Sequence, residues 1–124
     1  MKNNRPVNLD LRTIRLPVSA VASIIHRITG VGLFVALAFL MWALNLSLSS
    51  EAGFEKVVSA MNHPLAKLVT WGIVSFFAYH LIAGIKHLFM DIGYFEEKES
   101  GALASKFVLI ASVICILLLG VWVW

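Results

Sequence analysis

Charge is what this sequence has least of. Only 14% of its 124 residues are Asp, Glu, Lys or Arg, and 60% are hydrophobic. A soluble domain carries roughly a quarter charged residues. The shortage is also uneven: residues 28–50, 68–85 and 107–124 contain no charged side chain at all. About 20 apolar residues, rising about 1.5 Å each, cross a hydrocarbon layer of about 30 Å. Three such runs would leave little surface for water, which excludes a compact soluble bundle. The first run starts too far into the chain and is too long for the apolar core of a cleaved leader, and no small-residue cleavage site follows it. Cysteine is almost absent. Cys115 alone can make no intrachain disulfide, and there is no thiolate cluster for iron–sulfur or zinc. It reads as an apolar space-filler. Repeats and low-complexity segments are missing too.

What is present predicts an all-α integral membrane protein, a single membrane-anchor domain over residues 1–124. Its helices are expected at about 19–49, 64–91 and 102–124. Pro17 suits the first turn of the first helix, and Asn62-His63-Pro64 has the look of a helix start. Residues 50–62 form the first connection, outside the membrane. Residues 92–101 form the second, with Glu96, Glu97 and Glu99 on the cytoplasmic side. Trp71, Tyr94, Trp122 and Trp124 fit an aromatic belt at the two interfaces. Three helices bury few faces, so polar positions within them must point at partner subunits.

The basic residues set the orientation. Lys2, Arg5, Arg12, Arg15 and Arg27 precede or open the first span, and Lys86, Lys98 and Lys106 flank the second connection. Only Lys56 and Lys67 fall on the other side, so eight of ten lie on one face. The excess of Lys and Arg marks the cytoplasmic side. The net charge of +3 calls for no nucleic acid, because these residues sit at membrane flanks.

Two polar clusters interrupt the apolar pattern, and ionisable groups inside a span are functional candidates. The first is Ser23, His26, Arg27 and Thr29. Ser23 and Arg27 share a helix face, and His26 neighbours Ser23. Arg27 offers a permanent charge and a planar fork of donors, and Ser23 one hydroxyl, a pairing suited to a carbonyl-bearing small molecule at the interface. The same spacing also suits an Arg27 that snorkels to lipid head groups while Ser23 bonds its own backbone. The second cluster is His80, Lys86, His87 and Asp91. His80 lies about 16 Å from the inner end of its helix, where a neutral imidazole needs a partner such as a metal. His80 and His87 are about 10 Å apart along the axis and cannot both ligate one iron. Ala83 and Gly84 are small enough to let a flat macrocycle approach. A hydrogen bond to a neighbouring helix, or a proton relay, accounts for His80 equally well. His63 at the outer boundary reads as a loop or capping residue. Asp91, at an unfavourable helix C-terminus, could pair with Lys86 or Arg27.

The strings that carry these residues resemble the cytochrome b556 membrane anchors (C-type) of bacterial succinate dehydrogenase. They are R-P-V-N-L-D-L at 5–11, S-I-I-H-R-I-T at 23–29 and H-L-I-A-G-I-K-H-L-F-M-D-I-G at 80–93, and their order and spacing match over nearly the whole chain. Lys86 stands where that family usually has Arg, which keeps the charge and loses the fork. The resemblance implies a bundle completed by a sister anchor subunit in the bacterial inner membrane. It implies a flavoprotein and an iron–sulfur subunit docked on the cytoplasmic face, with succinate oxidised on another chain and its electrons passed to ubiquinone. It makes His80 an axial ligand of haem b, opposite a histidine of the sister anchor. Ser23 and Arg27 become quinone-site residues, and His26 with Arg27 lies near the haem propionates. The alternatives are a fumarate reductase anchor, a purely structural anchor, or a proton-relay subunit without haem.

The charge asymmetry predicts a cytoplasmic N-terminus and a periplasmic C-terminus. Alkaline phosphatase fused after Trp124 is therefore active, and a fluorescent protein that matures only in the cytoplasm is dark there. The opposite pair of signals would reverse the topology.

Overall fold

The computed structural model describes residues 7–10 and 12–124. Lys2, Arg5, Pro6 and Leu11, on which parts of the first motif and of the charge count fall, lie outside the described residues. Four helices follow one another: α1 Val18–Ser49, α2 Glu51–Met61, α3 Pro64–Asp91 and α4 Lys98–Val123. The described residues include no strand. Three helices, α1, α3 and α4, are long and apolar enough to cross a membrane. They pack on one another, with α3 against both α1 and α4. The protein is a multi-pass membrane protein.

Burial runs opposite to that of a soluble protein. Phe34 is 78% exposed, Leu118 64% and Val121 81%. Exposing this apolar surface to water would carry a large cost, and lipid removes that cost. The buried positions are mostly small or polar: Ala22, Ala83, Ser105 and Ser112, with Tyr79 and Val108. Lipid tails are as apolar as leucine, so helices associate through close van der Waals approach and a few hydrogen bonds, and small residues permit that approach. Ser105 shows how a polar side chain is tolerated inside, its Oγ donating to the Gly101 carbonyl of its own helix at 2.8 Å.

The helix ends follow local chemistry. Pro17, with φ −65°, precedes α1 and Pro64 opens α3; the proline ring fixes φ in the helical range and there is no N–H to lose. The cap of α3 is His63, whose Nδ1 accepts the Leu65 N–H at 3.2 Å. Gly93, with φ +91°, ends α3. In that left-handed conformation the Gly93 and Tyr94 N–H groups reach back to the Met90 and Phe89 carbonyls.

Two boundaries depart from expectation. The connection at 50–62 contains α2, an extra helix. Ser50 caps it by accepting the Gly53 N–H at 3.0 Å, and Glu51 favours the positive end of the dipole. Phe54, Val57, Val58 and Met61 then recur at helical spacing. The run is too short and too polar to cross a membrane, so a search for spans passes over it. Helix α4 begins at Lys98, a turn before the apolar run, because hydropathy marks the hydrocarbon depth and not the end of the backbone ladder. Trp71 also differs from a belt residue. Its indole N–H points inward and donates to the Ile116 carbonyl at 2.9 Å, joining α3 to α4.

Trp71→Phe keeps an aromatic ring and removes that donor. The expected loss is about 1 kcal/mol, seen as a lower unfolding temperature in detergent. An unchanged midpoint would show that the bond adds nothing to the α3–α4 contact.

Candidate functional site

The site forms where α1 and α3 cross. His26 lies eight residues into α1 and His80 eleven residues from the end of α3. At about 1.5 Å per residue their depths differ by only about 4 Å, which side-chain length bridges. The sequence reading set His26 at the interface and His80 deeper; the two rings in fact stack, with centroids 4.0 Å apart and planes 14° from parallel. His87 approaches the same ring, its centroid 5.0 Å from that of His26 and tilted by 44°. Three imidazoles from two helices thus form one column.

Close approach of the backbones makes this possible. A Cβ on Gly30 would come within 3.0 Å of His80 Cε1, so glycine lets the ring lie against α1. Ala83 and Gly84 do not keep open ground for a flat ligand as expected. Ala83 is buried beside Tyr79 and Val108, and Gly84 faces His26 Nε2. Tyr79, which the sequence reading did not single out, donates its hydroxyl to the Ala22 carbonyl at 2.8 Å. The clue was available: a tyrosine beside His80 in a charge-free run needs an acceptor.

The hydrogen bonds specify the chemistry of His80. Its Nδ1 lies 3.0 Å from the His26 carbonyl oxygen and 3.3 Å from Thr29 Oγ1. A carbonyl only accepts, so Nδ1 carries the proton and Nε2 keeps its lone pair. His26 Nε2 is buried with no hydrogen-bond partner among the described residues, which is costly unless something else satisfies it. Among the described residues, no group of three or more His, Cys, Asp or Glu gathers to hold a bare ion.

The other candidates are arranged differently. Ser23 is half-buried and Arg27 exposed on α1. The side-chain bonds between α1 and α3 come from Thr29, Tyr79 and His80 instead. Lys86 is buried at 7% exposure, while Asp91 is exposed at the end of α3. Lys86 lines a cavity of about 650 Å³ between α3 and α4, walled by Ile82, Phe89, Phe95, Leu103 and Phe107. That cavity includes none of Ser23, Arg27 and His80.

The family described as the succinate dehydrogenase/fumarate reductase transmembrane subunit matches residues 1–119. A succinate dehydrogenase cytochrome b556 subunit of Coxiella burnetii is 38% identical over 125 residues, covering all of both chains. The subunit of the same name from Paracoccus denitrificans is 33% identical, covering 91% of this chain and 87% of its own. That of Rickettsia felis is 34% identical, covering 96% and 93%.

Proposed function

This chain belongs to the family of succinate dehydrogenase/fumarate reductase transmembrane subunits, and from that premise we propose that it binds haem b through His80 and passes electrons from succinate to ubiquinone. The observation that carries the reading is the state of His80. Its Nδ1–H is taken by the His26 carbonyl, which leaves Nε2 as a neutral donor of the kind that ligates iron. The names of the relatives, cytochrome b556 subunits, support haem as the group.

The residues present fit such a group. His26 Nε2 is buried and unpartnered beside His80, able to donate or accept toward a ligand. Arg27, exposed one residue further on, would pair with a carboxylate of the group. Haem iron, when bound, supplies one-electron chemistry whose potential the axial ligands tune. His80 would hold the group from this chain, with His26 stacked against its ring, and a sister anchor subunit would supply the remaining hold on it. An iron–sulfur subunit and a flavoprotein subunit on the cytoplasmic side complete the assembly in the inner membrane, with the N-terminus cytoplasmic and the C-terminus periplasmic.

Ser23 and Arg27 serve the quinone. They lie near the start of α1, on the side where electrons arrive. Negative charge develops on quinone oxygens during reduction. A fixed guanidinium stabilises it more strongly in a partly dehydrated site than in water. Ser23, one turn earlier on the same face, donates a hydrogen bond to a carbonyl oxygen and orients the ring. A hydroxyl is too weak an acid to be the sole proton source, so water or a partner residue supplies protons.

A reduced-minus-oxidised spectrum of the purified complex tests the haem. His80→Ala removes the low-spin b-type signal, and His87→Ala, two turns nearer the cytoplasm, affects it less. Loss of the signal in the His87 variant with retention in the His80 variant would move the ligand to His87. A complex without any b-type signal would leave a structural anchor or a proton relay.

The quinone site is tested by the ratio of quinone-linked to artificial-acceptor succinate oxidation in assembled membranes. Ser23→Ala and Arg27→Leu lower it severely, because electrons still leave succinate but no longer reach quinone. An unchanged ratio in both variants would reduce Ser23 and Arg27 to an interfacial anchor.

A further inference from the structure

Thr29 is buried at 4% exposure in the α1–α3 contact, and the proposed haem and quinone roles give its hydroxyl no part. We propose that Thr29 is the positioning residue that holds the His80 imidazole in its Nδ1-protonated form with Nε2 turned to the haem iron. The inference rests on the reading of His80 as an axial ligand and deepens it.

Thr29 Oγ1 donates to the His26 carbonyl of its own helix at 2.9 Å. This back-bond fixes the threonine rotamer, since a helical threonine otherwise divides between two. With its proton committed to the carbonyl, the hydroxyl presents lone pairs to His80 Nδ1 at 3.3 Å. The same carbonyl oxygen lies 3.0 Å from Nδ1. Nδ1 thus faces two oxygens of α1, of which the carbonyl has no proton to give. The Nε2-protonated form would set the Nδ1 and carbonyl lone pairs against each other at 3.0 Å, and the hydroxyl could donate to Nδ1 only by giving up its bond to that carbonyl, in a site with little water, where an unmade hydrogen bond is costly. Two acceptors at different angles also restrict rotation of the ring, which a single carbonyl does less well. Gly30 holds α1 close enough for this geometry, its missing Cβ leaving room for His80 Cε1. Outer partners of this kind set the tautomer, orientation and basicity of a metal-bound imidazole.

The test compares Thr29→Val, Thr29→Ser and His80→Ala in the assembled complex. Valine keeps the shape of threonine and removes only the oxygen; serine keeps the oxygen and removes the methyl. Two quantities are read: the rate at which haem transfers to added apomyoglobin, and the line shape of the low-spin haem signal in electron paramagnetic resonance. Thr29→Val loses haem faster by roughly ten-fold or more and gives a broadened, heterogeneous signal. Thr29→Ser returns both toward wild type. If the valine variant does not assemble, Thr29→Ala against Thr29→Ser makes the same comparison. Wild-type transfer and line shape in the variants lacking the hydroxyl would overturn the proposal. So would a serine variant that behaves like valine, since the methyl group and not the oxygen would then matter. A His80→Ala complex that keeps the wild-type signal would instead overturn the ligand reading, whatever the Thr29 variants do.

Discussion

Hydrocarbon offers no hydrogen-bond partner, so every polar group inside this bundle must find one within the protein. Helices meet that demand for the backbone. Side chains must meet it for themselves, and several here do so by bonding to carbonyls, while His26 Nε2, Ser75 Oγ and Ser112 Oγ are buried without a partner among the described residues. Tyr79 bonds to Ala22, Trp71 to Ile116, Ser105 to Gly101, and both Thr29 and His80 to His26. Three of these acceptors lie on a neighbouring helix, so the same constraint that satisfies the donors also registers α3 against α1 and α4. Leucine gains nothing by leaving lipid for another helix, so close van der Waals contact at small residues and these hydrogen bonds carry the register between them.

The His26 carbonyl is where structure and chemistry meet. It accepts from Thr29 on its own helix and from His80 across the contact. The second bond sets the tautomer of His80, with the proton on Nδ1 and the lone pair on Nε2. The orientation of His80 is set by the same contact that holds two spans together, so small shifts between α1 and α3 would be felt at its ring. The seam of small residues serves the same end. Gly30 admits His80, and Ala22 and Ala83 keep the helices close.

Membership of the transmembrane-subunit family gives the column a context. The outward surface is largely apolar, as lipid requires, and His26 Nε2 is buried without a hydrogen-bond partner among the described residues. Under the proposed function, a group shared with another subunit would engage that nitrogen and the Nε2 of His80.

The sequence by itself determined the environment and the candidates. Three charge-free runs are long enough only for a bilayer, and His80 inside one of them is too costly to be idle. Those inferences need only composition and helical rise, which are local properties. The amphipathic α2 was also written in the sequence, but below the length at which a span is recognised. Only the tertiary structure decided what the candidates do together. It stacked His26 on His80, filled the space beside Gly84 with a ring, turned Trp71 inward, and gave Thr29 a partner 51 residues away. None of this follows from spacing along one helix. The crossing of α1 and α3 depends on which small residues face each other, and a difference of about 4 Å in depth separates an interfacial histidine from one that stacks on His80.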